Sequence, residues 1–503
     1  MTPVSGILLL IILFLLCGGS LLAGLRGKNR LCLLLILVTG LGLRLFCAAD
    51  PMLHPWDERY HALVAKNMTE QPLTPKLYRE HVRDFDYRSW TANEIWLHKQ
   101  PVPLWGMALG IKMWGVSEIS ARLPSVLLSV LSILLTFRIA VLLFHSERVG
   151  LVAAFLQAVN GLCIELASGR VATDHIDTFF LFFTELSLFL ILLHAKNNRK
   201  ILLVGAGAAC GAAILTKWLP ALIVFPLYLI INAKRKNPNR FLAELVIMGG
   251  AMLLVALPWQ IYAYALYPAE YRWEQHFNRL HFTEGLDGHG RPWWYFIDRI
   301  RVTVNEMIYP VLLWFGYYAW KAHRMRRENL LLLVYLIVPF LVFSVAKTKM
   351  QGYLLFTFPA YFILLGLFTE KMWFVRDDEP PAKKFRSLKI LASVLIFALA
   401  LRYGLERVKP LADRSRERQA KQELLHADFP KQSVLFNIPC PIEVMFYTDC
   451  IAYPDLPDRN LTERLHLKNY NLFIVDDGNL SNELMTDERI EKVELPLTLG
   501  MCR

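Results

Sequence analysis

Apolar runs of about 18 or more residues with few charges recur along this chain, and they constrain its fold more than any other feature. A helix of that length spans the hydrocarbon core of a bilayer. The runs are continuous rather than alternating, which excludes a transmembrane barrel. Because 55% of the 503 residues are hydrophobic, a soluble multidomain protein is also a poor match. The sequence therefore predicts an all-α polytopic membrane protein.

The number of spans follows from the number of apolar runs, and we expect about 12–13 transmembrane helices. Residues 102–115 are ambiguous, because this apolar segment is short for a span and contains Trp and Lys. The candidate spans are roughly 5–24, 31–48, 121–144, 150–168, 175–195, 201–216, 218–233, 240–266, 305–320, 329–346, 353–370 and 387–405.

The basic connections between spans predict the orientation of the chain. Lys and Arg are retained on the cytoplasmic side of a membrane. If 102–115 lies along the outer surface as an interfacial amphipathic helix, alternation places all five basic connections inside. We attribute the net charge of +12 to this retention and expect no nucleic-acid partner. The basic connections are residues 26–30, 194–200, 233–240, 321–328 and 383–386.

This orientation divides the chain into three parts. We predict a membrane anchor with a basic loop at 1–30, a transmembrane domain at 31–405 and an outer module at 406–503. Residues 5–24 could pass for a signal peptide, but RGKNR follows without a small-residue cleavage site, so we expect an uncleaved anchor. The predicted outer segments are 49–120, 169–177, 267–303 and 347–353, together with the tail.

The tail differs in composition from the rest of the chain. Short apolar stretches such as SVLFNI (433–438) and NLFIVDD (471–477) are separated by turn residues, which predicts a small α/β module. Cys440 and Cys450 lie in this module, and both a disulfide and two free thiols are open interpretations. None of the eight cysteines forms a CxxC pair, which argues against a zinc ribbon or a redox motif.

Carboxylates stand out in two of the outer segments. Asp57 and Glu58 follow an apolar span directly, either as the start of a solvated loop or as part of a site. In GRVATDHID, Asp174 could cap the next helix, whereas Asp177 lies about one turn inside that helix and needs a partner or water. Paired carboxylates of this kind can provide a general base.

Cationic residues occur on the same outer face, against the usual bias. Lys99 lies between tryptophans, where it could equally anchor the chain at the headgroups. Lysines and arginines beside the headgroups can bind a phosphate and neutralise its charge as it leaves. The candidate cationic residues are Lys99, Lys217, His276, Arg279, Lys347 and Lys349.

Together these residues suggest transfer of a group from a lipid phosphate carrier to an acceptor outside the cytoplasm. We find no P-loop and no GxGxxG motif. The main alternative is a transporter or flippase of lipid-linked saccharides, which should have ionisable residues near the midplane and inverted repeats. The charges cluster at the outer boundary instead. A receptor that binds a partner through its tail would not explain the lysines of KTKM (347–350).

The order of these motifs resembles the C-type glycosyltransferases that use polyprenyl-phosphate sugars. The similarity is greatest to the bacterial branch of protein O-mannosyltransferase-like enzymes and 4-amino-4-deoxy-L-arabinose lipid A transferases, and it covers roughly 31–405. The matching positions are Asp57-Glu58, Lys99 with Pro101 and Trp105, the RLP of SEISARLPSVL (117–127), Thr173-Asp174, Leu215-Thr216-Lys217, His276 with Arg279, and Lys347 with Lys349 and Tyr353.

The resemblance implies roles for these residues. Asp57, Glu58 and Asp174 would be catalytic, with Asp57 as the general base. The substrate-binding set would be Tyr60, Lys99, Lys217, His276, Arg279, Lys347, Lys349 and Tyr353. Three positions depart from the family pattern: Tyr60 replaces an arginine found in some relatives, Trp218 replaces a glycine, and His98 replaces a glutamate of the lipid A transferases.

The resemblance also implies a reaction and a location. A polyprenyl-phosphate-linked sugar would be the donor, and a glycolipid, glycan or protein would be the acceptor, with inversion at the anomeric carbon. The enzyme would contact membrane lipids as a multi-pass protein of the bacterial inner membrane, with its active site on the periplasmic face. No cofactor is certain. A divalent cation held by His98 and His276 is one open alternative.

Overall fold

The computed structural model of the protein describes residues 3–171, 175–233, 237–321, 326–374, 386–408, 414–427 and 429–493. In this part of the chain, nine helices are long and apolar enough to cross a membrane, which confirms the polytopic all-α architecture. They are Gly6–Leu25, Asn29–Ala48, Glu118–Phe144, His175–Asn197, Lys200–Lys217, Pro238–Leu266, Arg327–Val345, Gln351–Met372 and Ser387–Val408.

The other three predicted spans are helical but are bent or short. Glu147–Val159 and Gly161–Ala167 meet at a bend of 56° and could form a tenth span together. Leu219–Asn232 and Ile308–Lys321 are shorter than a membrane-crossing helix. Where 12–13 transmembrane helices were expected, the described residues contain nine or ten of sufficient length, because two of the predicted spans form helices of only 14 residues.

Several helices are not membrane-length and belong to the segments predicted to lie outside. Residues 102–115 form one of them, a 14-residue helix that packs on its neighbours at Asp57–Met68 and Glu118–Phe144. The helices of these segments are Asp57–Met68, Pro101–Trp114, Pro268–Thr283, Leu286–Gly288 and Tyr295–Thr303.

The bend beside Asn160 depends on a buried arginine. Helix Glu147–Val159 ends there, so its last carbonyls lack intrahelical amide donors. The fully buried Arg44 guanidinium donates to the carbonyls of Ala158 at 3.0 Å and Gln157 at 3.2 Å. Its Nε donates to Ser129 Oγ at 2.7 Å. Water cannot hydrogen-bond these carbonyls within a bilayer. Arg44 therefore stabilises the bend by donating to them.

The segments predicted to lie outside meet each other at one end of the helices. Trp273 Nε1 donates to the backbone oxygen of Arg88 at 3.0 Å, which joins loop 267–303 to the first outer loop. The amide of Arg291 donates to the carbonyl of Lys347 at 3.2 Å, which joins the same loop to the KTKM turn. These two contacts connect three of the predicted outer segments: the first outer loop, loop 267–303 and the KTKM turn.

Segments predicted to be cytoplasmic lie at the opposite end. Asn29 Nδ2 donates to Glu147 Oε2 at 2.5 Å, linking the first basic connection to the start of the bent helix. Arg327 Nη1 donates to the carbonyl of Ile231 at 3.0 Å. This separation agrees with the alternation of inner and outer connections that the sequence predicts.

The tail is the α/β module that the sequence predicts. Four parallel strands form one sheet in the order second, first, third, fourth, with Val434 paired to Ile451 on one side and to Leu472 on the other. The strands are Ser433–Phe436, Ile451–Ala452, Asn471–Val475 and Ile490–Val493, and the helices of the tail are Ser415–His426, Pro441–Tyr447, Arg459–Leu467 and Asn482–Thr486.

The module shares an apolar core with the first outer loop. Phe436 and Ile474 of the sheet belong to the same buried cluster as Leu63 and Trp96 of that loop. A module with its own core would be an independent domain. The shared core instead makes the tail and the first outer loop one packing unit, and the boundary near residue 406 stays a prediction.

Neither of the two interpretations of Cys440 and Cys450 is correct. Cys450 is a buried free thiol, so no bridge joins it to Cys440. Cys440 is itself disulfide-bonded, so the alternative of two free thiols is also incorrect. Residue spacing alone could not identify the partner, because pairing follows the fold rather than the sequence separation.

Replacing Arg44 tests whether the bend needs its guanidinium. Arg44→Met would leave the carbonyl of Ala158 without a donor, at a cost of about 1–3 kcal/mol for that buried group, and would leave the carbonyl of Gln157 only the amide of Asn160, at 3.4 Å. We expect a clear fall in the thermal unfolding midpoint of the detergent-solubilised protein. Arg138→Met is the matched control, since Arg138 is exposed on helix Glu118–Phe144. Equal midpoints for the two variants would contradict this account of the bend.

Candidate functional site

A cavity of about 540 Å³ lies where the outer segments meet. Its walls come from the first outer loop, helices His175–Asn197, Lys200–Lys217 and Pro268–Thr283, and the residues around the KTKM turn. Six residues for which the sequence predicts a catalytic, substrate-binding or metal-binding role line it: Asp57, His98, Lys99, Lys217, Arg279 and Tyr353. Ligand sites are usually concave and mostly apolar, with a few convergent polar groups, and this cavity has that character.

Asp57 is the first residue of helix Asp57–Met68, and its side chain lines the cavity. Its Oδ2 lies 3.8 Å from Lys99 Nζ, and the two side chains are 22% and 28% exposed. The carboxylate is thus paired with a cation but accessible, as a proton acceptor for a bound molecule must be. Trp56 precedes it and also lines the cavity, half exposed.

Glu58 is placed differently from its neighbour, because it is fully buried and does not line the cavity. Arg122 grips both of its oxygens, with Nε to Oε1 at 2.6 Å and Nη2 to Oε2 at 2.9 Å. His175 Nε2 lies 3.2 Å from Oε1, and the amide of His54 donates to Oε2 at 2.6 Å. Glu58 therefore joins three parts of the chain beneath the cavity.

The electrostatics of Glu58 follow from these partners. Burial alone would raise the pKa of this carboxyl, but the charge and hydrogen bonds of Arg122 and the hydrogen bond to His175 lower the pKa to about 2. Gly169 leaves room for it: its φ is +67°, and a Cβ there would lie 2.1 Å from Glu58 Oε1. Only glycine suits this position of the acidic turn.

Lys217 forms the second cation–carboxylate pair of the cavity. Its ammonium bonds Asp177, whose side chain is 5% exposed, and lies 4.6 Å from the centre of the Tyr353 ring. Asp177 is thus the buried charge whose partner the sequence left open. Trp218 follows with φ 63° and ψ −148°, a conformation that strongly favours glycine, the residue expected there from the family pattern.

Arg279 is the third cation of the cavity wall. Among the residues that the structure describes, no carboxylate lies within ion-pairing distance of it. Lys99 and Lys217 each already have a carboxylate partner, whereas Arg279 has none among the described residues; the wall also includes the carboxylate of Asp287. An anionic ligand group would be attracted to that position.

His98 is locked in the cavity wall by an acidic and an aromatic partner. Its Nδ1 lies 3.2 Å from Glu274 Oε2, and its ring stacks on Trp90 with centroids 4.8 Å apart. Burial, opposed by Lys99, raises the pKa of Glu274 to about 7, and burial together with Lys99 holds the pKa of His98 well below its ordinary value.

The predicted metal ligands do not form a recognisable set. His98 is engaged by Glu274, whereas His276 lies beside Trp273, with ring centroids 5.7 Å apart, and does not line the cavity. Over the described ranges, no three His, Cys, Asp or Glu side chains are grouped so that they could hold a metal ion. The divalent cation stays a prediction.

The two lysines of the KTKM turn do not line the cavity. Lys349 is buried, and its ammonium donates to the carbonyls of Arg291, at 3.0 Å, and Ala346. Lys347 is exposed and does not line the cavity, although its amide donates to the carbonyl of Phe282 at 3.2 Å. Neither lysine contacts the cavity, because the turn folds against loop 281–291.

Two further predicted residues lie outside the cavity wall or outside the description. Tyr60 is buried and packs edge-on against Trp90 at 4.9 Å, so it supports the wall from behind. Asp174 lies outside the described residues. The sequence interpretation missed Arg122, His175 and Glu274 as partners of site residues. Arg122 stands in the RLP that begins a span, where a buried arginine could have been expected to need a carboxylate.

The sequence of this chain is similar to those of known glycosyltransferases. Residues 98–262 match the family model for dolichyl-phosphate-mannose-protein mannosyltransferase. The undecaprenyl phosphate-alpha-4-amino-4-deoxy-L-arabinose arabinosyl transferase of Pseudomonas aeruginosa strain LESB58 is 30% identical over 271 residues, which cover 50% of this chain and 46% of that protein. The chain therefore spans about half the length of the curated relatives it matches.

Solved structures share the fold. ArnT from Cupriavidus metallidurans, crystallised with undecaprenyl phosphate, superposes with a TM-score of 0.56 at 16% identity, over 93% of this chain and 90% of that one. The oligosaccharyltransferase AglB from Archaeoglobus fulgidus has a TM-score of 0.54 at 12% identity, over 84% and 64%. This chain therefore shares the fold of these two solved structures, and about half of it is similar in sequence to the aminoarabinose arabinosyl transferases.

Proposed function

We propose that this protein transfers a sugar from a polyprenyl-phosphate carrier to an acceptor on the outer face of the membrane. The observation that carries the proposal is the cavity itself, which combines an accessible carboxylate, Asp57, with three cations, Lys99, Lys217 and Arg279. The curated relatives are named for undecaprenyl-phosphate-linked aminoarabinose, and the related ArnT was crystallised with undecaprenyl phosphate.

The donor would bind with its phosphate among the three cations. Leu219 lines the cavity and is 64% exposed on the flank of the membrane helices, which gives an isoprenoid tail a route into the lipid. As the sugar leaves, the phosphate oxygen that it leaves behind gains negative charge. Arg279 is free to take that charge at once, and Lys99 and Lys217 can turn from their carboxylates towards it.

The acceptor would approach from the side of Asp57. Asp57 takes the proton of an acceptor hydroxyl, the oxygen forms a bond to the anomeric carbon, and the bond from that carbon to the phosphate breaks. The electron pair of the broken bond stays on the phosphate. A single in-line displacement of this kind inverts the anomeric configuration. If the acceptor is itself a phosphate, no proton needs to be removed, and Asp57 would orient it.

We place the reaction at the periplasmic face of a bacterial inner membrane. The described residues of two basic connections, Asn29 and Arg327, lie at the end of the helices opposite the cavity, as expected when that end faces the cytoplasm. Lipid A, another envelope glycan and a protein hydroxyl are the acceptor classes. Mass spectrometry of envelope lipids, glycans and proteins from a strain lacking the gene would identify the acceptor.

The flippase alternative has little support in the described structure. A transporter would bring ionisable groups into its pathway near the midplane. Glu185 does lie in the middle of helix His175–Asn197, which the sequence interpretation overlooked, but it is fully buried, accepts a hydrogen bond from Thr136 and is absent from the cavity wall. Glycosyl transfer breaks a bond to phosphate, whereas flipping does not, so product analysis separates the two functions.

Exchanging the two adjacent carboxylates separately tests their different roles. Asp57→Asn should lower turnover by about 10²- to 10⁴-fold without lowering the thermal midpoint, because an accessible base is lost. The assay is product formation in nanodiscs from undecaprenyl phosphate carrying mannose, glucose or 4-amino-4-deoxy-L-arabinose. Normal turnover of a folded Asp57→Asn protein would contradict the assignment of the base.

Glu58→Gln should act on stability instead. The change leaves the Arg122 charge buried and unpaired, which costs about 3–5 kcal/mol. Since the folded pKa of Glu58 is about 2, below its ordinary 4.5, wild type gains this stability above about pH 4.5 and loses it as pH falls towards 2. Thermal unfolding measured across this range should show that pH dependence in wild type and a weaker dependence in Glu58→Gln. Identical profiles would contradict it.

The cations of the cavity should determine affinity for the donor phosphate. We expect Arg279→Gln to weaken undecaprenyl phosphate binding by about 10- to 100-fold, the worth of a charge-assisted hydrogen bond. Lys347→Gln, a change outside the cavity, should leave the dissociation constant unchanged. Native mass spectrometry or fluorescence titration measures both. A larger effect at Lys347 than at Arg279 would contradict this placement of the donor phosphate.

A further inference from the structure

The outer module packs directly on the helix that begins with Asp57. Its helix Pro441–Tyr447 lies against Asp57–Met68, and both contribute to one buried apolar cluster. Such a tail could be a passive appendage or could act on the cavity. The contacts at the two ends of helix Asp57–Met68 distinguish these possibilities.

The module grips both ends of that helix. Near its start, Arg59 Nη1 lies 3.0 Å from Glu443 Oε1, and the glutamate side chain is only 3% exposed. Near its other end, the buried ammonium of Lys66 donates to the carbonyl of Met445 at 2.9 Å and to that of Thr448. Those carbonyls end the module's own helix, where a cation is favourable. Two fixed points define the position and the rotation of a rigid helix.

The first fixed point is connected to the cavity by a chain of contacts. Arg59, held by Glu443, lies 5.1 Å from the centre of the Tyr60 ring. Tyr60 packs against Trp90 at 4.9 Å, and Trp90 lines the cavity and stacks on His98. Arg59 is also only two residues from Asp57. A shift of Arg59 would therefore move both the proposed base and the aromatic wall.

We infer that the outer module positions the catalytic helix, with Glu443 acting as a positioning residue through Arg59. The inference rests on the proposed function, because it concerns the placement of Asp57. Reactions in which a bound group must approach at a defined distance are sensitive to displacements of about 1 Å. A buried ion pair resists such displacement, since separating it leaves a charge without a partner.

A second ion pair between the module and the first outer loop supplies a matched control. Arg83 Nη1 lies 3.2 Å from Asp455 Oδ2, but Asp455 is 69% exposed, and Arg83 lies outside helix Asp57–Met68. Exposed pairs of this kind contribute little. If the module only needed to be attached, the two pairs would be equivalent in function.

The first test compares turnover in full-length Glu443→Gln, Glu443→Asp and Asp455→Asn proteins. Three undecaprenyl-phosphate sugars serve as donors in the Asp57→Asn assay. The donor used here is the one of these three that the wild-type protein turns over fastest. Glu443→Gln should lower kcat about tenfold or more with little change in the donor KM. Glu443→Asp, which keeps the charge, should recover part of that loss, and Asp455→Asn should match wild type. A normal kcat for Glu443→Gln, or equal losses in Glu443→Gln and Asp455→Asn, would overturn the inference.

The second test does not depend on activity and separates this inference from the proposed function. A nitroxide spin label on Asp57→Cys reports the mobility of the helix start, with labelled wild type as background for the native cysteines. Adding Glu443→Gln should make the label more mobile, and adding Asp455→Asn should not. Unchanged spectra in both would overturn the inference even if transfer is observed. Wild type without transfer from any donor would contradict the proposed function, while the spectra still decide on positioning.

Discussion

The buried ion pair between Glu58 and Arg122 is the interaction on which the site depends. It joins the first outer loop to the start of helix Glu118–Phe144, and His175 extends it to the helix that carries Asp177. Both charges are removed from water, so their mutual attraction and their hydrogen bonds must offset a large desolvation penalty. Every polar atom in this network is therefore constrained. The result is a rigid, buried network next to a cavity in which Asp57 and Lys99 are accessible.

The network is buried and the cavity is accessible, and this difference explains how two adjacent acidic residues serve different purposes. Asp57 and Glu58 are neighbours in sequence, but successive helical residues point in different directions. One side chain is gripped by Arg122, and the other reaches the cavity beside Lys99. A fixed carboxylate supports the architecture, whereas an accessible one can exchange a proton with a substrate. The cations of the outer segments differ in the same way, since Lys349 is buried against backbone carbonyls, whereas Arg279 lines the cavity.

Much of this organisation could be predicted from the sequence. Apolar run length and the distribution of basic residues are local properties, so they predicted the helices, the outer face and the α/β tail. Contacts between segments that are distant in the sequence were harder to predict. The pairing of Lys217 with Asp177 and the free thiol of Cys450 settle questions that the sequence left open, whereas the burial of Lys349 differs from expectation. These outcomes depend on how loops fold against each other, which spacing along the chain does not encode.

In the proposed reaction, the three cations of the cavity hold the phosphate of a polyprenyl carrier with its sugar end towards Asp57. A cryo-EM structure of the full chain in nanodiscs with undecaprenyl phosphate would show whether they do. We expect phosphate density in contact with Arg279 and with Lys99 or Lys217, and a prenyl tail that leaves past Leu219. Phosphate density beside the exposed Lys347, or a lipid bound elsewhere while the cavity stays empty, would contradict this placement.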